Sequence, residues 1–358
     1  MRIALVLAAS TGGIGRHVAS LAPRLVARGH RVRIYCPAGT AAGQGLAGGG
    51  ADWHPLHDLV RLRGADVLHA HGYKAGALAC GIGAARRIPV VVTWHNAVLG
   101  ASAGAVLGRA LQRMVARGAD LTLGASSDLV ALAVRLGAPD ARLGAVAAPV
   151  LPPPVRPRDA VRADWGAGPE EVLVLTVGRL APQKNLGLVV EAAAALRDDP
   201  RLRFMIAGEG PLRPELEARI AATGARVELL GHRTDLPDLL AAADLALLTS
   251  RWEARALVAQ EALLAGLPLI STRVGGIEEL VGDAAVLVPP DDPGALIEAV
   301  RVLAGDPARR ADLARRGRAR AASWPDEDAV VSDVLAAYRS VRHGRPGGSD
   351  SCRSRKRS

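Results

Sequence analysis

Aromatic side chains are almost missing: one phenylalanine, three tyrosines and five tryptophans in 358 residues. The cores must therefore be aliphatic, and few rings remain on which unpaired bases could stack, so nucleic-acid binding ranks last among the functions a basic chain suggests. Lysine is nearly absent too. Only Lys74, Lys184 and Lys356 stand among 45 cationic side chains, which makes each of them informative. The three cysteines, Cys36, Cys80 and Cys352, are scattered and odd in number, with no C-x-x-C spacing, which excludes a disulfide framework or a cysteine zinc site and fits a reducing compartment. No apolar run approaches the roughly 20 residues needed to cross a bilayer. The start MRIALVLAAS runs into glycines and Arg16 instead of a cleavage site, so a cytoplasmic protein is expected.

At about 150 residues per domain the length suggests two globular domains. The apolar share of 49% and the charged share of 22% are those of ordinary globular proteins. Charge is unevenly spread. Residues 1–150 hold 16 cationic and 6 acidic side chains, residues 151–341 hold 23 and 28, and residues 342–358 hold 6 and 1. Either the first half faces something anionic, a lipid surface or a phosphorylated acceptor, or the chain simply uses arginine freely.

Strand-like runs alternate with amphipathic helical stretches along the whole chain, the pattern of parallel sheets flanked by helices. In the first half the strands are expected at Arg2–Leu7, Arg31–Tyr35, Asp66–His69, Val90–Thr93, Leu121–Leu123 and Leu143–Ala147. The segment AAPVLPPPVRPR then places five prolines in twelve residues and reads as a linker. A second set follows at Val172–Val177, Leu202–Ala207, Val227–Leu230, Asp244–Leu248, Leu267–Ser271 and Ala285–Val288. The fold expected is α/β, two doubly wound Rossmann-like domains facing a central cleft. Their bounds are 1–148 on the acceptor side, 149–158 for the linker, 159–325 for the nucleotide-binding domain and 326–342 for a final helix returning to the first domain. The Gly/Ala stretch 40–50 and the basic tail 343–358 are expected to be disordered.

Ligands of such sheets sit beyond the carboxyl ends of the strands, so chemistry is sought in the strand-to-helix loops. The first is AASTGGIG, whose glycines at 12, 13 and 15 let backbone amides approach a phosphate at the start of a helix. A dinucleotide fingerprint is disfavoured, because Gly15 is followed by Arg16-His17-Val18 and the second strand ends without an acidic residue. In the second half the loop GRLAPQKN delivers Arg179 and Lys184 five residues apart, a fork and a point charge suited to a diphosphate. Glu253 and Glu261 follow, a loop acid and a helix acid of the kind that accepts hydrogen bonds from sugar hydroxyls. Each feature alone also fits a solvated or purely structural role.

Together, the segments GGIGRHVASLAPRLVARGH, DVLHAHG, VVTWHN, GRLAPQKN, AGEGPLRPELE, LLGHRTDLPDLLAAADLALLTS, EARALVAQEALLAGLPLIST and VGGIEELV resemble family 4 of the retaining, nucleotide-sugar-dependent glycosyltransferases with the GT-B fold. The likeness runs over nearly the whole chain, and Glu253 and Glu261 match the family's E-x7-E spacing. It implies that Arg179 and Lys184 bind the diphosphate, that Glu261 holds the ribose and that Glu253 touches the transferred sugar. Gly13 would approach the same phosphates, Arg233 would lie near the base, and Leu257 and Val258 would complete the donor site. Gly12, Gly13, His71 and His95 would face the acceptor, with His95 beside the reacting sugar and catalysis shared by His95, Arg179, Lys184 and Glu253. One departure stands out: the family's E-G-x-G-L is here Glu253-Ala254-Arg255-Ala256-Leu257. If glycine is needed there, the chain is a donor-blind relative; Arg255 could instead meet a charged sugar or acceptor.

The expected reaction moves a hexose or hexosamine from a nucleotide diphosphate sugar, a co-substrate, to an unknown acceptor in cell-envelope or glycoconjugate biosynthesis. No cofactor and no metal are expected. The one Asp-x-Asp candidate, Asp326-Glu327-Asp328, opens a helix where acids are common, and fixed cations can stabilise the leaving diphosphate instead. Arg109, Arg113 and Arg117 recur along one face of the stretch 107–120, opposite Leu107, Leu111, Met114 and Val115, and could lie peripherally on anionic lipid at the inner face of a membrane. A non-catalytic sugar-nucleotide-binding protein and a GT-B epimerase are the alternatives.

Overall fold

The structure is a computed structural model and describes residues 1–10, 12–100 and 103–343. It divides into two compact units, Met1–Ala147 with the chain from Pro325 onward, and Ala148–Trp324. The first holds β1 (Arg2–Leu7), β2 (Arg31–Cys36), β3 (Asp52–Pro55), β4 (Val67–His71), β5 (Val90–Trp94), β6 (Leu121–Gly124) and β7 (Ala141–Leu143). They form one sheet in the order β3-β2-β1-β4-β5-β6-β7, every pairing parallel. The second unit holds β8 (Val172–Val177), β9 (Leu202–Ala207), β10 (Val227–Gly231), β11 (Leu245–Leu248), β12 (Leu269–Thr272) and β13 (Ala285–Val288), again all parallel, in the order β10-β9-β8-β11-β12-β13.

Parallel sheets are covered on both faces, so their strands read as continuous apolar runs, and side-chain alternation then sorts each run between two cores. β8 shows this directly. Val172 and Val174 join Phe204, Ile206 and Val189 on one side, while Leu173 and Leu175 join Met205, Leu240 and Leu263 on the other. In the first unit Leu5, Leu7 and Ile34 pack with Val18, Leu21 and Leu25 of the helix Gly13–Ala27. The same core takes Val330, Val334 and Tyr338 from the final helix, Glu327–His343, so a segment distant in sequence completes it. Asp326 accepts from Ala329 N at 2.7 Å, Glu327 pairs with Arg24, and Asp328 pairs with Arg28 at 3.0 Å. Asp326 thus caps its own helix, while Glu327 and Asp328 fasten that helix to Arg24 and Arg28 at the end of the helix Gly13–Ala27.

Three sequence expectations are corrected. β3 was not foreseen, because a four-residue edge strand ending in proline carries no alternating pattern; it pairs only with β2. β7 lies at Ala141–Leu143, ahead of the expected 143–147. The stretch 40–50 is partly packed where disorder was expected: a short helix spans Ala38–Gly43, and Thr40, Ala41 and Leu46 are buried, while Ala47 to Gly50 are exposed. Thr40 Oγ1 accepts from Ser10 N at 3.1 Å, which ties this stretch to the glycine loop. The expected tail, beyond His343, and Cys352 lie outside the described residues.

Candidate active site

In an open α/β sheet the ligand crevice forms where strand order reverses, because neighbouring loops there turn to opposite faces. In the second unit this point lies between β8 and β11, and the loops after those strands carry Lys184 and Glu253. A single 3₁₀ turn, Pro182–Lys184, followed by Asn185 at φ +50°, brings Lys184 back over the strand end. The loops are laced together. Arg251 N donates to Gln183 O at 2.8 Å, Gln183 Nε2 to Trp252 O at 2.8 Å, and Thr249 Oγ1 to Lys184 O at 2.9 Å. Inside this frame Lys184 Nζ donates to Glu253 Oε1 at 2.6 Å, and Ser250 Oγ donates to the same oxygen at 2.7 Å. The ammonium and the carboxylate are mostly buried, with side chains 20% and 11% exposed.

Close backbone contacts hold the frame. Gly276 N donates to Glu253 O at 2.8 Å. A Cβ on Gly275, whose φ is +52°, would stand 2.0 Å from that carbonyl oxygen, so only glycine lets the loop before the helix Ile277–Val281 pass beneath Glu253. Likewise a Cβ on Gly208 would stand 1.9 Å from Gly178 O, where the ends of β8 and β9 converge.

The alanines of the E-A-R-A loop are accommodated. The non-glycine residues at positive φ among the described residues are Arg87, Asn185 and Asp291, so no residue of 253–257 adopts a conformation that asks for glycine. Ala254 and Ala256 are buried, and Ala256 precedes the helix Leu257–Ala265 in an extended conformation. Glu261, 8% exposed, lies in the second turn of that helix, and Leu257 and Val258, half-buried, lie in its first. Arg179 is exposed. Arg233 is not free: its fork pairs with Asp235 at 2.9 and 2.5 Å, and this neighbour holds the Asp235 carboxyl below its ordinary value. Arg255 has Nε and Nη2 buried without a partner among the described residues, and burial lowers its pKa.

In the first unit order reverses between β1 and β4, and histidines gather there. His71 ends β4, His95 follows β5, and His17 comes from the helix that the glycine loop opens. His71 Nδ1 and His95 Nε2 lie 3.2 Å apart, and the His17 ring meets each of the other two edge-on with centroids 5.4 and 5.3 Å away. Behind them His69 is fully buried, with Nδ1 2.7 Å from Tyr338 Oη and Nε2 2.7 Å from Thr93 Oγ1. Burial lowers every ring's pKa, His17 to about 4, His69 to about 3, and His71 and His95 well below the usual value. All four are neutral at pH 7. Gly12 and Gly13 are exposed at the mouth of the loop, and Gly15 N donates to Ser10 Oγ at 3.2 Å.

The sequence reading missed Ser250, Gly275, His17 and the His69–Tyr338 pair. His69 was within reach, since in HAH two histidines one residue apart on a strand share a face. On the helix Ala103–Gly118 the expected division fails: Leu107 and Met114 are exposed together with Val106, on the side of Arg113 and Arg117, while Ala105, Val115 and Ala116 are buried. No helix among the described residues is long and apolar enough to cross a membrane.

Comparison with known proteins agrees with this architecture. The family description "Glycosyl transferases group 1" matches residues 157–320, and "Glycosyl transferase 4-like domain" matches residues 12–149. A glycogen synthase of Mycobacterium tuberculosis is 30% identical, with 93% of this chain and 92% of the relative covered. A D-inositol 3-phosphate glycosyltransferase of Catenulispora acidiphila is 31% identical, with coverages of 94% and 83%. Among solved structures, Anabaena HepE in complex with UDP superposes with a TM-score of 0.82 at 20% identity, over 95% of this chain and all of the other. Sucrose-phosphate synthase from Thermosynechococcus elongatus superposes with a TM-score of 0.76 at 20% identity, over 96% of this chain and all of the other.

Proposed function

The chain belongs to the group 1 and 4-like glycosyl transferases, and from that membership we propose that it moves a hexose or hexosamine from a nucleotide diphosphate sugar, with retention of anomeric configuration and no metal at the diphosphate. The observation that carries the reading is the Lys184–Glu253 pair at the strand-order reversal of the second unit. Glycosyl transfer leaves negative charge on the departing diphosphate and positive charge at the anomeric carbon. An ammonium has three N–H bonds, so the one engaged by Glu253 leaves two for phosphate oxygens. Arg179 adds an exposed guanidinium on the same loop. Glu253 uses Oε1 for Lys184 and Ser250, which leaves Oε2 to accept from a sugar hydroxyl. Positive charge fixed in place before reaction lowers the barrier without reorganisation, and each such group is worth roughly 3 kcal/mol, about a hundredfold in rate.

The remaining roles follow the family pattern. Glu261 holds the ribose, Leu257 and Val258 flank the donor, Gly13 presents backbone amides to phosphate, and His95 stands by the reacting sugar. Arg233, already paired with Asp235, orients the loop near the base. One relative, 34% identical over 49% of this chain, is named a GDP-mannose-dependent mannosyltransferase of Mycobacterium tuberculosis, which supports a nucleotide sugar as donor. The acceptor we propose is anionic and membrane-associated, because Arg113 and Arg117 stand on a helix beside exposed Val106, Leu107 and Met114.

A thermal-shift panel of UDP-, GDP- and ADP-sugars tests the donor. A ligand at 100 times its Kd stabilises by about 2.7 kcal/mol, roughly 5–10 °C for a unit of this size. One nucleotide class should raise Tm; a panel in which none does would remove the donor reading. The anomer formed, read by NMR, tests retention, and sedimentation with anionic against neutral liposomes tests the acceptor side.

A further inference from the structure

The histidine cluster of the first unit has a geometry that sugar chemistry does not demand. One ring nitrogen from each of His17, His71 and His95 lies within 4.8 Å of the other two. His71 Nδ1 and His95 Nε2 are 3.2 Å apart, within hydrogen-bond reach of one another and close to the roughly 3.3 Å that separates two nitrogens bound to one tetrahedral ion at about 2.0–2.1 Å. The rings come from three separate elements, β4, the end of β5 and the helix Gly13–Ala27, so their convergence is not a local accident of sequence.

His71 is 2% exposed; its Nδ1 is the nitrogen turned toward His95, and its Nε2, on the other edge of the ring, is buried without a hydrogen-bond partner among the described residues. His69, by contrast, has both nitrogens engaged, by Tyr338 and Thr93, and is a structural residue behind the cluster. The protein thus satisfies one histidine of the HAH pair fully and the other incompletely. Imidazole nitrogens offer lone pairs, and His17 and His95 are only partly buried, which gives an ion a way in.

We propose that His17, His71 and His95 form a binding site for a divalent transition ion, Zn²⁺ in the first instance. Imidazole suits Zn²⁺, and a set of three neutral nitrogens leaves a fourth position and a net double positive charge for an oxygen ligand, a hydroxyl or a phosphate. The three ligands all belong to the first unit, and binding of the ion can be read without a sugar donor.

The test is metal binding by the full, tag-free chain, read without any activity assay. Co²⁺ added to the wild type should give the visible bands of tetrahedral cobalt at one ion per chain, and equimolar Zn²⁺ should abolish them. His17→Ala and His95→Ala should each weaken Zn²⁺ binding, measured by chelator competition, by roughly tenfold or more. His57→Ala, at an exposed histidine, and Cys352→Ser should bind as the wild type does. If His71→Ala does not fold, His17→Ala, on a half-buried helix position, still decides the matter. No cobalt bands in the wild type, Zn²⁺ affinity unchanged by His17→Ala, or affinity lost in Cys352→Ser would each overturn the proposal.

Discussion

Removing the Lys184 ammonium should cost both folding free energy and turnover, and a mutant cycle separates the two. In Lys184→Ala, Glu253 keeps only the Ser250 hydroxyl at 2.7 Å on an oxygen that had also held an ammonium at 2.6 Å. Breaking a fully buried pair costs about 3–5 kcal/mol, an exposed one 1 or less. With side chains 20% and 11% exposed and one hydroxyl remaining, about 2–3 kcal/mol is expected, a fall in Tm of roughly 4–12 °C for a unit of this size. Glu253→Gln should cost less, about 1 kcal/mol, because the lysine stem can swing its charge to water. The double variant should then be more stable than the sum predicts, with a coupling of about 1–2 kcal/mol. Turnover behaves differently, since both singles and the double lose roughly a hundredfold or more if the pair acts as one clamp. Urea and thermal unfolding of the four proteins, with turnover on the donor found by the panel, give both numbers. A Tm of Lys184→Ala within 1 °C of wild type, together with a coupling near zero, would refute the buried-pair argument.

Other expectations follow from the same contacts. Gly275→Ala places a methyl 2.0 Å from Glu253 O at positive φ and should destabilise the second unit by on the order of 3 kcal/mol with loss of turnover; an unchanged Tm would mean the loop moves freely. Tyr338→Phe removes the hydroxyl from His69 Nδ1 and should lower the stability of the first unit by about 1–2 kcal/mol, measured by denaturant unfolding. The buried histidines set a pH dependence. Below about 6.5 the unfolded chain takes up protons that folded His69, near 3, and His17, near 4, refuse. Their contribution is complete above pH 6.5 and is lost as pH falls toward 4, at up to about 1.4 kcal/mol per pH unit for each ring. Thermal unfolding at pH 7 and pH 5 should show the first unit falling, and a flat profile would contradict neutral burial.

Much of the site was legible because its signals are local. Glycines at 12, 13 and 15, the pair Arg179 and Lys184, and the spacing of Glu253 and Glu261 are short-range patterns that a strand-loop-helix grammar places at strand ends. What was not legible depends on partners far apart in sequence. Ser250 looked like any loop serine until Glu253 folded back onto it. The stretch 40–50 looked like low complexity because its composition hides that Thr40 meets Ser10 and that Leu46 is buried. On the helix Ala103–Gly118 the apolar residues did not reveal which of them faced the core, since Leu107 and Met114 are as hydrophobic as Val115, yet exposed.

By itself, then, the order of residues determined the alternation of strands and helices, the proline break and the family, since each is written in periodicity, backbone restriction or motif spacing over a few residues. Only the tertiary structure decided that Lys184 and Glu253 are already paired, that the alanines beside Glu253 need no positive φ, and that a ring nitrogen from each of three histidines lies within 4.8 Å of the others. Those outcomes rest on where parallel strands end beside one another, and strand order in a sheet is set by packing across the whole unit.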